Sequence, residues 1–443
     1  MELRDLIVTP LLFILIYGVA YFVRPQVTDS VTRAYYFPAL MVKLVGAIAL
    51  GMVYQFYYSG GDTYIYHTYG SRIVWQAFIE SPLAGFKLLF SDGANQVGIY
   101  KYASKIYFFN DPPSYAVVRL ASIFDLITFS SYSATALLFA VFSFVGMWMF
   151  FLTFYKQYPH LHRSLALAAF FIPSVFFWGS GVLKDSVTLA CLGIATYQFY
   201  RIFFEQKITI VNFLLLLVAL YGIFTIKKFV LQAYLPAAIL WIFAKNFLHI
   251  QSLVLKMMLI PFAAIVVIGS AYYTVVKVGE DDARYSISKI AETAKVTAYD
   301  IRYWSGRDAG SGYELGELDG TIGSMVRLAP QAINVSLFRP YIWEVRNPLM
   351  LLSAIESVCL LVFTLYVIAK KRTYFFKAFT NANVLFAMTF SLSFAFAVGV
   401  STFNFGTLAR YKIPLLPFFL VALILILDYS KSDKKLSEFE SKE

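Results

Sequence analysis

About eleven stretches of this chain are apolar over the roughly 20 residues that a helix needs to cross a hydrocarbon core of about 30 Å. They lie near 6–23, 36–58, 131–155, 164–180, 183–204, 208–226, 229–248, 253–275, 348–369, 383–401 and 413–428. Inside a bilayer every backbone N–H and C=O must be satisfied within the segment, so stretches of this kind become helices. Hydrophobic residues make up 59% of the 443 positions and charged ones 14%, too few charges to wet the surface of a water-soluble fold of this size. The expected class is an all-α polytopic membrane protein with about 11 transmembrane helices, a single transmembrane domain over 1–443. Leu6 to Val23 lacks a basic leader and a cleavage signature and reads as a retained first helix.

Basic residues in short loops are retained on the cytoplasmic side. Arg24 and Arg33, Lys156 and Arg163, Arg201 and Lys207, Lys245, the Lys370-Lys371-Arg372 cluster with Lys377, and Lys431, Lys434 and Lys435 fall on alternating connections. This places the N-terminus outside, and the C-terminus with the charged tail 429–443, expected to be disordered, in the cytoplasm. Lys184, Lys227, Lys228, Arg410 and Lys412 then lie in short loops on the outer face, against the rule. A miscounted span hidden in 113–130 is the alternative explanation.

Two long segments complete the outer face. In 59–130 the apolar positions Ile73, Val74, Phe78, Leu83, Phe86 and Leu89 suit interfacial helices better than a span. In 277–346, Ile287, Ile290, Ala294, Ala298 and Ile301 recur at three- and four-residue steps, predicting an amphipathic surface helix. The glycines from Gly306 to Gly323 follow as a flexible loop.

The net charge of +11 is spread over many loops, which argues for membrane lipid or phosphate and against nucleic acid as a partner. Cys191 and Cys359, both in apolar runs, give no disulfide framework. His160, His162 and His249 have no zinc-ligand spacing, and nucleotide-binding glycine signatures are absent, so no cofactor is expected. A divalent cation is compatible with Asp62, but no ligand spacing supports one.

The remaining polar clusters sit on the outer face, and unpaired charge is costly beside a bilayer. Asp62 follows Gly60-Gly61 and precedes Tyr66 and His67. It suits a general base toward a sugar hydroxyl, or equally a cap for the helix that starts there. Lys184 and Asp185 open a helix just after Trp178-Gly-Ser-Gly, where free amides and the helix dipole favour an anion. The plain alternative is a capping Asp185 and a snorkelling Lys184. Arg339 offers a rigid fork for phosphate, next to Tyr341 and Trp343 as stacking surfaces and Glu344 as an acid or base. An interfacial anchor would have the same composition. Arg410 and Lys412 stand at the entry to the last span.

Taken together, Gly61-Asp62 with Tyr66, Pro173-Ser174 through Trp178 to Lys184-Asp185, Phe338-Arg339-Pro340 with Trp343-Glu344, and Asn404-Phe-Gly-Thr with Arg410-Tyr-Lys-Ile-Pro414 carry a likeness. In their order and sidedness they resemble the EpsG-like and O-antigen-polymerase-like membrane proteins of bacterial surface-polysaccharide assembly, related in style to GT-C glycosyltransferases. The resemblance implies an enzyme of the bacterial cytoplasmic membrane that acts on its outer face on undecaprenyl-pyrophosphate-linked glycans. Asp62 would match the early acidic position and Arg410 the basic residue before the last span. The acidic residue follows the second helix rather than the first, a departure from GT-C that favours a polymerase over a single-sugar transferase.

The expectation is therefore glycosyl transfer without nucleotide sugars. Arg339, Arg410 and Lys184 would bind the pyrophosphate while Asp62 or Glu344 takes the acceptor proton. The rivals are a flippase or transporter of lipid-linked sugars, which predicts charges deep in several spans where Lys43 is nearly the only one, and a non-catalytic envelope scaffold.

Overall fold

The computed structural model describes residues 2–91, 93, 97–248, 289–304, 311–316 and 319–440. The span expected at 253–275, together with Lys277, Ile287, Gly306 and Gly310, lies outside the described residues. The chain divides into two compact units, Met1–Lys227 and Lys228–Glu443.

The first unit is helical throughout its regular structure. It contains α1 (Leu3–Val27), α2 (Arg33–Met52, prolonged by a π-helical turn at Val53–Tyr57), α3 (Asp62–Tyr66) and α4 (Arg72–Glu80). These are followed by α5 (Pro82–Phe90), α6 (Tyr100–Ala103), α7 (Pro112–Thr128) and α8 (Tyr132–Tyr155). The unit closes with α9 (His162–Phe170), α10 (Pro173–Trp178), α11 (Lys184–Phe203) and α12 (Ile210–Ile226). The second unit contains α13 (Lys228–Leu248), α14 (Ile290–Trp304), α15 (Ile322–Arg327) and α16 (Ala329–Phe338). Beyond these lie α17 (Pro348–Lys371), α18 (Thr373–Lys377), α19 (Ala382–Ser401), α20 (Phe405–Tyr411) and α21 (Leu416–Glu440).

Among the described residues six helices are long and apolar enough to cross a membrane: Leu3–Val27, Arg33–Tyr57, Tyr132–Tyr155, Lys228–Asn246, Pro348–Lys371 and Ala382–Ser401. A seventh crossing is available if α20 and the start of α21, bent by 66°, form one broken span. Leu6, Leu11, Ile14 and Phe22 on α1 and Leu352, Val362 and Leu365 on α17 stand exposed. Surfaces that apolar belong in lipid, so the chain is a polytopic helical membrane protein.

The stretch expected to cross at 164–180 is not one helix. Pro173 has no N–H to continue α9 and holds Ile172 extended, so the chain restarts as the short α10. The expected span 183–204 appears as α11, which carries Lys184, Asp185 and Arg201, and 208–226 as the shorter apolar α12. The tail after Asp428, expected to be disordered, continues α21 as far as Glu440; it holds no Gly or Pro to stop the helix.

Packing within the first unit centres on α8 and α11. A Cβ at Gly193 would stand 2.0 Å from the Gly146 carbonyl oxygen, so the two backbones touch where only glycine fits. Lys43, fully buried in α2, donates to Ser143 Oγ at 3.0 Å and to the carbonyls of Val175 at 3.2 Å and Gly179 at 2.9 Å. Three acceptors thus match its three protons, and the Val175 carbonyl it meets also accepts from Gly179 N–H at the end of α10. In the second unit, Ala291, Ala294 and Ala298 of α14 are buried, and Tyr299 meets Phe403 beyond the end of α19.

Candidate functional site

In the first unit the helix ends that carry Glu2, Asp62, Lys184 and Lys227 lie together. Glu2 pairs with Arg72 at 2.6 Å, Ser131 ahead of α8 donates to Asp5 at 2.7 Å, and Thr63 and Tyr132 share a 2.8 Å hydrogen bond. The opposite end collects Lys156, Arg201 and Lys207 around Glu205 and ties Tyr155 to Asp29.

Asp62 is the first residue of α3, reached through Ser59, Gly60 and Gly61, whose φ values of 55°, 127° and 122° are all left-handed. Two consecutive glycines make that turn cheap and deliver Asp62 directly into the helix. A circuit of contacts surrounds this corner. Gly61 packs on Tyr54, whose ring meets Trp178 at 6.3 Å, and α11 starts with Lys184 a few residues on. Lys184 Nζ lies 3.6 Å from Asp111, and the neighbouring Phe108 packs on Tyr66 at 5.0 Å, closing the ring back onto α3. The structure thus brings Asp62, Tyr66, Trp178 and Lys184 into one neighbourhood.

Three residues expected to touch ligand are instead sealed in the protein of this unit. Tyr66 is 3% exposed, and Asp185 and His67 are 0% exposed. Asp185 is bonded to Lys227, an acid in the first turn of α11 against a cation at the end of α12, the pairing that both helix dipoles favour. His67 Nε2 lies 3.6 Å from Asp125, which accepts from Thr135, and its ring packs on Tyr132. Their position suits them to support the neighbouring polar groups.

In the second unit the segment expected to be a free glycine loop is partly stitched down. Gly312 and Asn404 form an antiparallel bridge, Phe405 N–H donates to Ser311 O at 2.8 Å, and Tyr313 N–H donates to Phe403 O at 3.1 Å. Asn404 caps α20 through Gly406 N–H and Thr407 N–H and also bonds Ser311. This places Tyr313 and Phe405 beside Arg339, whose guanidinium carbon stands 5.6 Å from the Tyr313 ring, 5.3 Å from Phe405 and 5.9 Å from Tyr341.

Arg339 and Glu344 clasp each other, with Nε 3.1 Å from both carboxylate oxygens and Nη2 bonded to Oε1. Tyr341 N–H also donates to Glu344 at 2.8 Å. Burial pushes the Glu344 carboxyl up, but the bonds from Arg339 and Tyr341 and the guanidinium charge outweigh it and hold the group below its usual range. Tyr341 and Trp343 stack at 4.8 Å, and Trp343 is 81% exposed. Asn334 fixes the Tyr341 hydroxyl at 3.0 Å. Lys412, 1% exposed, donates to Ser357 Oγ at 3.0 Å, and Ser357 donates to the Arg339 carbonyl at 3.1 Å, so it braces the Arg339 loop from inside. Arg410 lies half-buried in the last turn of α20.

Sequence reasoning missed Asp111, Tyr54, Arg72 and Asp125 in the first unit and Tyr313, Phe405 and Ser357 in the second. Asp111 had a legible signal, an acid directly before Pro112-Pro113 at a helix start, whereas the others depend on long-range packing. No group of three or more His, Cys, Asp or Glu able to hold a metal occurs among the described residues. Compared with family models, curated proteins and solved structures, the chain matches none.

Proposed function

We propose that this protein transfers or polymerises glycosyl units carried on undecaprenyl pyrophosphate, on the outer face of a bacterial cytoplasmic membrane, as an EpsG-like or O-antigen-polymerase-like enzyme. The observation that carries this reading is exposed Trp343 stacked on Tyr341 beside the fixed Arg339 guanidinium. A flat aromatic platform next to a forked cation is the chemistry that recognises a sugar joined to a phosphate.

In the proposed step the acceptor hydroxyl gives its proton to Asp62, and its oxygen attacks the anomeric carbon of the donor sugar. The bond from that carbon to the pyrophosphate oxygen breaks, and its electron pair leaves with the polyprenyl pyrophosphate. Lys184 beside Asp62 in the first unit, and Arg339 with Arg410 in the second, are each suited to offset charge on a pyrophosphate. Asp62, at the start of α3, takes the base role, and Glu344 holds the Arg339 guanidinium in place. The orientation adopted puts the ends bearing Asp62 and Arg339 outside and the C-terminus in the cytoplasm.

The test is the length distribution of surface glycan in cells that carry Asp62→Asn, Arg339→Ala or Arg410→Ala at normal protein level. Loss of long chains in all three is expected. Unchanged glycan in Asp62→Asn removes the proposal.

A further inference from the structure

The first unit holds a cavity of about 170 Å³, lined on its polar side by Glu2, Asp5, Gln55, Tyr64, Thr68 and Arg72. At about 30 Å³ of liquid volume per water it holds roughly five or six waters, the space of one sugar ring and too little for a lipid-linked chain.

Its polar walls are fixed before any ligand arrives. Asp5 Oδ1 accepts from Ser131 Oγ at 2.7 Å and Ser133 N–H at 3.3 Å, and Oδ2 accepts from Glu2 N–H at 2.9 Å. Arg72 is held by Glu2 and by Ser130. Tyr64 and Tyr132 stack at 4.2 Å on one side of the cavity, with the Tyr64 hydroxyl bonded to Gln55. A forked donor, two carboxylate acceptors, an amide and tyrosine rings around one small space match a ring of alternating hydroxyls. Two carboxylates, one of them already paired with Arg72, are too few for a dedicated cation cage.

We propose that this cavity is a monosaccharide subsite that receives the acceptor sugar. The assignment rests on the glycan-transfer reading and adds to it the place where the acceptor docks. Asp62 and Tyr64 belong to the same short helix, and the π-helical turn His67–Ser71 continues it through Thr68 to Arg72, so one continuous segment supplies the base and the lining residues Tyr64, Thr68 and Arg72.

Saturation-transfer NMR on the full-length protein in detergent micelles tests it, with glucose, galactose, N-acetylglucosamine and phosphoethanolamine as separate probes. Ring-proton saturation is expected for at least one sugar. Thr68→Trp should abolish it by filling the cavity, and Arg72→Met should weaken binding at least tenfold. Met52→Trp fills the same space from an exposed lining position and replaces Thr68→Trp if that variant loses its cooperative thermal unfolding. Absence of sugar saturation, saturation that survives filling, or saturation by phosphoethanolamine alone overturns the subsite. Sugar binding that persists while Asp62→Asn leaves glycan synthesis unaffected keeps the cavity and removes the transfer reading instead.

Discussion

Asp185 and Lys227 are buried against each other at two helix ends, so removing either charge takes an ion pair from a group that stays buried. Asp185→Asn is expected to cost about 3–5 kcal/mol, read as a fall in thermal midpoint in detergent, whereas Asp185→Leu with Lys227→Met recovers most of it. An Asp185→Asn protein as stable as wild type would show that the pair does not hold the two helix ends. The Arg339–Glu344 clasp carries a pH signature. Because the Glu344 carboxyl sits below its ordinary value in the fold, its stabilisation is fully present above the unfolded value of about 4.3 and is lost as pH falls through the lower folded value. Thermal unfolding followed down to acid pH should show less acid loss in Glu344→Gln than in wild type; equal loss would assign the acid sensitivity elsewhere. Such residue pairs were half legible in the sequence. The charges announced themselves by standing near apolar runs, but Asp111 for Lys184, or Asp125 for His67, lie 73 and 58 positions away in the chain, where only the fold makes them neighbours.

At the scale of elements, α8 and α11 approach until Gly146 and Gly193 touch backbone to backbone. Gly193→Val should therefore destabilise by about 2 kcal/mol or more, with loss of a monodisperse size-exclusion peak. Gly18→Val on α1, with nothing within 4 Å of the added Cβ, should stay within about 0.5 kcal/mol of wild type. Equal behaviour of the two variants would contradict the close crossing. Helix positions were readable because length and hydropathy alone decide what can sit in lipid, and α1, α2, α8, α13, α17 and α19 fall where apolar runs predict. Helix continuity was less readable. The break before Pro173 depends on a proline whose effect is completed by Lys43 reaching the carbonyls of Val175 and Gly179 from another helix, and the bend between α20 and α21 depends on a turn braced by buried Lys412. The docking of 311–316 along 402–405 left no sequence signal, since backbone hydrogen bonds across some 90 residues carry no residue code.

For the whole molecule, the sequence led to a helical membrane protein that gathers polar groups at helix ends, and within each unit those groups meet. In the first unit Asp62, Trp178 and Lys184 share one corner. In the second, Arg339 joins the aromatic platform, while Lys412 supports it from beneath. Which of the expected residues would face ligand was not legible, because burial decides it: Asp185, His67, Tyr66 and Lys412 carry the right chemistry but lie inside. The central proposal is that the protein moves glycan from a polyprenyl pyrophosphate without a nucleotide sugar. Its most direct test is the purified protein in proteoliposomes supplied with undecaprenyl-pyrophosphate-linked oligosaccharide, with longer lipid-linked glycan and free undecaprenyl pyrophosphate measured together. The account predicts that both products appear in equal amounts and that Asp62→Asn lowers their rate at least a hundredfold. Glycan that reaches the opposite leaflet unchanged in length, with no pyrophosphate released, would contradict it.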